Sequence, residues 1–183
     1  MSIYQYPWYE IVNEGEGLEQ GDFIRSWPVI IPEEMIEGEG GIDTDVLERD
    51  MIIMSQSCDI ANNKIDNVLV CPVRDLESMP NYVSRGNRNK IRKGEVIGYH
   101  LLNKCALIGV GDECGLRKLE GTYPVVDFRN AYSIPLTFLR KGIESRNEKR
   151  LRLLPPYKEQ LSQAFARFIV RVGLQDSCDI PEF

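Results

Sequence analysis

The chain has 183 residues, of which 43% are hydrophobic and 27% are charged, a composition typical of a folded globular protein that excludes general disorder. No stretch approaches the roughly 18 apolar residues of a membrane span, and the N-terminus lacks the basic flank and apolar run of a signal peptide. We therefore predict a cytoplasmic protein that does not associate with membranes. The net charge of −6 and the pI near 5.0 also argue against a general nucleic-acid coat.

The five cysteines include no CxxC pair or comparable short pair, so the sequence predicts neither a zinc site nor a disulfide framework. We expect no metal and no cofactor. His100 is the only histidine and lies in the strand-like segment VIGYHLL. We favour a structural role for it over a catalytic one.

Charge is unevenly distributed along the chain. Residues 1–50 contain thirteen acidic and two basic residues. Positive charge is concentrated in residues 85–93 (RGNRNKIRK) and residues 140–152 (RKGIESRNEKRLR). Either basic run could contact phosphates, and the alternative is a pair of solvated loops.

The elements predicted first along the chain are strands. Residues 23–31 form a short strand whose Pro28 places it at an edge or bend. Residues 32–48 are acidic and rich in glycine, which predicts a long mobile loop. Residues 51–55 begin with four large apolar residues in succession, as in a strand that is buried on both faces.

Residues 68–73 (VLVCPV) predict a second buried strand. Residues 74–79 predict a short helix before the first basic run. Further extended segments are predicted at 95–102 and 105–110, which would form a hairpin, and at 123–128 and 132–138. The second basic run is then a connector.

The clearest helix is predicted for residues 156–173. Its apolar residues recur at the spacing of one helical face: Leu161, Ala164, Phe165, Phe168, Ile169 and Val172. The opposite face carries Glu159, Gln163, Arg167 and Arg171, which water can solvate. We interpret the helix as a structural clamp in preference to a partner-binding element.

The end of the buried strand at residue 55 is the leading candidate for a functional site. Ser55, Ser57, Cys58 and Asp59 follow the strand, where loops commonly hold binding or reactive groups. Cys58 could be a nucleophile on a turn, but no sequence-local base is available and an adjacent carboxylate disfavours the thiolate. We therefore favour packing for Cys58, with Ser57 or Asp59 forming hydrogen bonds that stabilise the turn.

The order of several segments resembles that of the PemK/MazF toxin family over about residues 20–140. The segments are GDF at 21–23, a long loop, ERDMIIMSQ at 48–56, VLVCPV at 68–73 and YPVVDF at 123–128. The resemblance implies a small β-barrel that cleaves RNA, with Arg49 and Ser55 at the positions of the catalytic pair. In that chemistry Asp59 or Glu48 could serve as the base, and Arg49 as the cation for the phosphate. Alternatively, Arg49 is an exposed residue paired with Glu48 or Asp50.

The predicted fold is mostly β (α+β). A small PemK/MazF-like barrel with long loop insertions and an acidic N-terminal loop would cover residues 1–154. A helix packed on the same domain would cover 155–174, and a tail 175–183.

Two classes of function follow. In the first, the barrel binds, and in the enzymatic case cleaves, RNA or another phosphate-bearing ligand. Arg49, Ser55 and Asp59 would then be catalytic, and the ligand would be held by Ser57, Cys58, Arg85, Arg88, Lys90, Arg92 and Lys93. In the second, the chain is a non-catalytic interaction module, such as an accessory subunit of a bacterial multi-protein system, which contacts a protein through the acidic loop 33–50 or the C-terminal helix.

Overall fold

The computed structural model describes residues 7–35, 42–77, 79, 89–91, 93–104 and 123–170, with the backbone alone for residues 33–35 and 42. The described strands are β1 (Tyr9–Val12), β2 (Phe23–Met35), β3 (Ile42–Ile53), β4 (Asn67–Asp75), β5 (Tyr99–Leu101), β6 (Pro124–Asp127), β7 (Tyr132–Pro135) and β8 (Arg150–Leu153). The described helices are α1 (Ser57–Ala61), the 3₁₀ helix Phe128–Asn130, α2 (Leu136–Arg146) and α3 (Tyr157–Ile169).

A six-stranded antiparallel sheet forms the centre of the molecule. Its strand order is β2-β3-β4-β6-β5, and β7 also pairs with β4. The segment 124–135 runs antiparallel to β4 in two parts, β6 and β7, between which the 3₁₀ helix interrupts the pairing. A second sheet contains β1 and β8.

The predicted buried strand is confirmed. Met51, Ile52 and Ile53 have no exposed surface. Because successive side chains of a strand point to opposite faces, Met51 and Ile53 enter one core cluster while Ile52 and Met54 enter the other. When both faces of a sheet are covered, a strand has no position that faces water. Its residues are therefore apolar in succession and do not alternate with polar residues.

Different elements cover the two faces of the sheet. One face packs against α2 through Leu136 and Leu139. The other packs against β1, β8 and α3, which contributes Leu161, Phe165 and Phe168. The amphipathic tail helix is therefore confirmed as a packed structural element, although it ends at Ile169 in the described chain, and Val172 lies outside the described residues.

The prediction of a small closed barrel is wrong. Within the described part of the chain, β2 and β5 lie at opposite ends of the sheet and do not pair with each other. The strand β8 does not close the gap, because it pairs with β1 and joins the main sheet through one isolated bridge between Asp22 and Arg152. The mostly-β character of the prediction is retained in an open sheet.

The prediction of a long loop at residues 32–48 is also wrong. Ile42–Ile53 form β3, and the register of its pairing with β2 joins Val29 to Leu47 and Ile30 to Val46. These cross-strand apolar pairs stabilise a hairpin, and the acidic, glycine-rich composition concealed them.

The predicted basic connector at 140–152 is in fact the end of α2 followed by β8. Likewise, the extended segment predicted at 132–138 ends at Pro135, where α2 begins. Arg74 and Asp75 belong to β4 and not to a short helix. The hairpin strand predicted at 105–110 and the tail at 175–183 lie outside the described residues.

Candidate functional site

The serines predicted at the end of β3 bond to the backbone or to a neighbouring carboxylate. The Ser55 hydroxyl accepts a hydrogen bond of 2.8 Å from the Leu69 backbone N–H. The Ser57 hydroxyl accepts one of 3.1 Å from the Gln20 N–H and donates one of 3.5 Å to Glu19. Both serines therefore hold the turn after β3 against its neighbours.

Cys58 and Asp59 lie side by side in the first turn of α1. The Cys58 thiol is exposed and donates to Asp59 Oδ1 at 3.6 Å. The Asp59 backbone N–H donates to the Gln56 carbonyl, and its own carbonyl accepts from the Lys64 N–H. Cys58 is thus not buried beneath the loop, where packing would place it.

Arg49 lies in a different part of the molecule from this turn. It is opposite Trp27 in the β2–β3 pairing, on the strand face that also carries Met51 and Ile53. Ile53 is about 13 Å further along the strand, and Ser55 follows it. The backbone therefore does not bring Arg49 and Ser55 together.

Four arginines of the second basic run bond within the fold. Arg140 donates to Asn63 Oδ1 and to the Ile60 carbonyl at 2.6 and 2.7 Å. Arg146 donates to the carbonyls of Arg25 and Ser26, and its guanidinium lies 5.2 Å from the Trp27 ring centroid. These two side chains fasten α2 to the turn after α1 and to β2.

The other two, Arg150 and Arg152, surround a carboxylate that is completely buried. Asp22 accepts from Arg152 Nε at 2.5 Å and from Arg150 Nε at 3.3 Å. Burial disfavours the Arg152 charge, but the hydrogen bond and the charge of Asp22 outweigh it and raise the Arg152 pKa. Asp22 is the central residue of the GDF segment. We name Arg150 and Arg152 with Asp22 the buried arginine pair.

Gly21 permits that arrangement. Its φ is +89°, and a Cβ there would lie 3.1 Å from the Leu153 carbonyl oxygen. The Gly21 carbonyl accepts from the Leu153 N–H, and its N–H donates to the Ile53 carbonyl. Glycine is therefore required for the chain to pass between β3 and β8.

The first basic run is only partly described. Lys90 and Lys93 are exposed, whereas Arg85, Arg88 and Arg92 lie outside the described residues. Backbone hydrogen bonds from the Lys93 N–H to the Asn89 and Lys90 carbonyls form a turn there.

A cleft of about 570 Å³ opens beside Lys93, between residues 91–101 and α3. Among the described residues, its charged lining consists of Lys93 and Arg167 and includes neither aspartate nor glutamate. Its aromatic lining residues are Tyr99, His100 and Phe128, and the remainder are apolar or glycine: Ile91, Gly94, Val96, Ile97, Gly98, Leu101 and Ala164. We name it the cationic cleft.

His100 provides the polar ring of this cleft. It stacks on Phe128 with ring centroids 6.3 Å apart and planes inclined by 16°. Burial, together with the nearby charge of Arg167, lowers the His100 pKa to about 4. The imidazole is therefore neutral at pH 7, and Lys93 and Arg167 carry the positive charge of the cleft.

Asp127, a buried carboxylate on the strand paired with Tyr99, is compensated by arginines. Asp127 accepts from the Arg129 N–H and Nε and lies 3.9 Å from Arg74. The Arg129 guanidinium also lies 4.2 Å from the Tyr99 ring centroid. A Cβ at Gly98 would lie 3.0 Å from the Arg129 side chain, so the glycine allows this close packing.

Sequence reasoning predicted Lys93 for this surface but missed Arg167 and Phe128. Arg167 was assigned to the solvated face of the tail helix, and His100 to a structural role. One sequence signal for Arg167 was available. It lies in the i, i+4 row with Glu159 and Gln163, on the face of the helix opposite the apolar face that packs against the sheet. No sequence rule connects that row with residues 93–100.

No protein-family model matches the chain, and no curated protein resembles it significantly. Among the described residues, no group of three or more histidine, cysteine, aspartate or glutamate side chains is arranged to hold a metal ion. The helices in the part of the chain that the structure describes are too short or too polar to cross a membrane.

Proposed function

We propose that the chain binds RNA, or another ligand that carries phosphate beside a flat aromatic group, in the cationic cleft. The observation that carries this proposal is the described lining of the cleft, in which Lys93 and Arg167 face no carboxylate, in a protein whose net charge is −6. A cation-lined groove attracts the phosphates of a single strand, and an aromatic ring offers a surface on which a base can stack.

The rings of the cleft support a ligand with a base. Tyr99 and Phe128 are buried, so His100, which is partly exposed, is the ring that a base could contact. Because the imidazole is neutral, it can stack on a base without the desolvation cost of burying a charge. Lys93 and Arg167 would then hold the adjoining phosphates.

The distribution of charge along the rest of the chain also favours RNA binding at the cationic cleft over binding elsewhere on the surface. The first basic run ends at Lys93 in the sequence. Lys90 and the other basic residues of this run can therefore extend the contact along a single strand of RNA. The exposed acidic residues of β3, Asp43, Asp45 and Glu48, repel nucleic acid from that part of the surface.

RNA cleavage is a further expectation from the resemblance to the PemK/MazF toxins. Arg49, Ser55 and Asp59 stay the residues predicted for it, with Ser57 and Cys58 as neighbouring ligand contacts. The cleft favours binding more directly than cleavage, because Ser55 already bonds to the Leu69 N–H and Arg49 is distant along β3.

The test is fluorescence anisotropy with a labelled single-stranded RNA, with free nucleotide and inorganic phosphate as competitors. The double variant Lys93→Gln/Arg167→Gln should weaken RNA binding by roughly tenfold or more, a change of about 1.4 kcal/mol. It should also reduce the slope of log affinity against log salt by about 1.4, since each single-strand phosphate contact contributes about 0.7. Competition by nucleotide but not by phosphate would show that the base is recognised.

The matched control is Lys64→Gln/Lys141→Gln, which removes two exposed positive charges outside the cleft. This variant should retain the affinity and the salt slope of the unmodified protein. Equal losses in both double variants, or no RNA binding at low salt, would overturn the proposal. Electrophoresis of the RNA after incubation tests cleavage separately, and any cleavage should be lost with Arg49→Ala and Ser55→Ala.

A further inference from the structure

A two-stranded arm extends from the main sheet. The pairing of β3 with β4 covers Met51–Ile53, while residues 27–35 of β2 and 42–49 of β3 have only each other as strand partners among the described elements. We name this arm the ribbon. A two-stranded hairpin by itself is marginally stable in water, so its faces have to be covered.

One face of the ribbon is covered by the core and the other is open. Trp27 and Val29 are buried with Ile24, Leu136 and Leu139. On the opposite face Ile30 is 66% exposed and Val46 is 57% exposed. These two residues are register partners, so their side chains form one apolar surface.

Two prolines enlarge this surface and protect its edge. Pro28 and Pro32 are exposed and lie two residues to either side of Ile30, so they share its face. The Val46 N–H donates to the Asp45 side chain at 2.8 Å, which indicates that the Ile30–Val46 pair is not hydrogen-bonded across the ribbon. In a pair that is not hydrogen-bonded, the backbone N–H and C=O groups point away from the partner strand. Pro28 and Pro32 occupy positions of the same kind on β2 and have no N–H, so two of these outward-pointing donors are absent.

The prolines of β2 and the bond from the Val46 N–H to Asp45 on β3 leave fewer free donors at the edges of the ribbon, which disfavours strand addition. The open face is therefore the surface available to a partner. Among residues 28–32 and 43–50, whose side chains the structure describes, four are acidic (Asp43, Asp45, Glu48 and Asp50) and one, Arg49, is basic. Glu48, opposite Pro28, places one of these carboxylates directly on the open face.

We propose that the open face of the ribbon docks a partner protein that presents apolar side chains flanked by lysine or arginine. Apolar contact with Ile30 and Val46 would supply the buried centre, and the acidic rim would select a basic partner. The same acidity opposes a second copy of this chain on this face, since two such ribbons would place like charges together.

The test uses a synthetic amphipathic helix with a leucine stripe flanked by lysines, and the same peptide with glutamate in place of lysine. The unmodified protein should bind the lysine peptide and not the glutamate peptide. The double variant Ile30→Ser/Val46→Ser should weaken binding of the lysine peptide by roughly tenfold or more, because the apolar centre is lost while the charge is unchanged. Circular dichroism would first establish that the variant is folded.

The matched control is Ile169→Ser/Val170→Ser, which removes two exposed apolar side chains, 60% and 72% exposed, from the end of α3. It should bind the lysine peptide like the unmodified protein. A second variant, Glu48→Gln, leaves the apolar pair intact and removes the carboxylate of the open face, so it should weaken binding of the lysine peptide at low salt only.

Three results would overturn the proposal. The first is binding of the lysine peptide that survives Ile30→Ser/Val46→Ser. The second is the absence of lysine-peptide binding, or equal binding of both peptides, by the unmodified protein. The third is sedimentation of the unmodified protein as a dimer that Ile30→Ser/Val46→Ser converts to a monomer, which would make a second copy the occupant.

Discussion

The two basic runs look alike in sequence, but their described residues have different surroundings in the structure. Residues 140–152 contain six basic residues, and the described contacts use Arg140, Arg146, Arg150 and Arg152 to join elements of the fold. Lys90 and Lys93 of residues 85–93 are exposed. A basic run in the sequence therefore does not always form a basic surface in the folded protein.

Burial is the physical origin of this difference. Arg150 and Arg152 are 4% and 7% exposed, so their charges need compensation inside the protein, and Asp22 with backbone carbonyls supplies it. Lys93 and Arg167 remain at the rim of a cleft where water already solvates them. Arginines in a compensated core stabilise the fold, and exposed cations without carboxylates beside them can bind a ligand.

The largest expected effect breaks the buried arginine pair. Asp22→Asn should lower the free energy of unfolding by about 3–5 kcal/mol, because it leaves two buried guanidinium groups without their carboxylate. Urea unfolding measures the change. The triple variant Asp22→Leu/Arg150→Met/Arg152→Met should recover much of the loss, because it removes the charges together.

The control for that prediction is Glu148→Gln. Glu148 lies 3.7 Å from Arg25, and both side chains are more than a third exposed. Its substitution should change the free energy of unfolding by less than about 1 kcal/mol. Similar losses for Asp22→Asn and Glu148→Gln would contradict the structural role assigned to burial.

The next effect in size concerns the cleft and its pH dependence. The His100 pKa is about 4 in the folded protein and about 6.5 for a histidine in water, so the unfolded chain binds an additional proton between these values. Stability should therefore fall as the pH falls from about 6.5 towards 4, and the contribution of His100 is fully present above that window. The shift corresponds to at most about 3 kcal/mol, and we expect about 1–2 kcal/mol because the ring is partly exposed.

Thermal unfolding of His100→Phe between pH 4 and 7 measures this effect, because phenylalanine keeps an aromatic ring against Phe128 and cannot bind a proton. The variant should be less sensitive to acid than the unmodified protein. Parallel stability curves for the two proteins over this range would show that the burial of His100 does not lower its pKa.

The smallest effect sharpens the contrast between the two basic regions. Lys93→Gln/Arg167→Gln should change the free energy of unfolding by no more than about 0.5 kcal/mol, as expected for exposed positions outside the core. Urea unfolding checks it beside the RNA-binding measurement. A loss comparable with that of Asp22→Asn would assign the cleft cations to the fold and not to a ligand.

Much of the core could be predicted from local sequence. The apolar run at residues 51–54, the VLVCPV strand at 68–73 and the face of α3 that contains Leu161 are all buried or packed as predicted. These signals are reliable because burial follows from the side chains of a few neighbouring residues. The β2–β3 ribbon was missed because its apolar pairs lie about sixteen residues apart between acidic segments.

The candidate site was predicted less well. Ser55 and Ser57 were expected to serve a ligand, and the structure gives them hydrogen bonds to the Leu69 and Gln20 N–H groups. Of the described residues that line the cationic cleft, Lys93 alone was predicted as a ligand contact. His100 and Arg167 are 67 positions apart in the sequence, and only the packing of α3 brings them together.

The sequence by itself thus determined which segments enter the core, because hydrophobic burial depends on composition and periodicity that are visible locally. The tertiary structure decided what each charge does. Asp22 and Arg150 meet across 128 positions, and whether an arginine stabilises the fold or faces a cleft depends on such partners. The energy of a charge depends on the burial and the neighbours that the completed fold provides, and no local pattern contains that information.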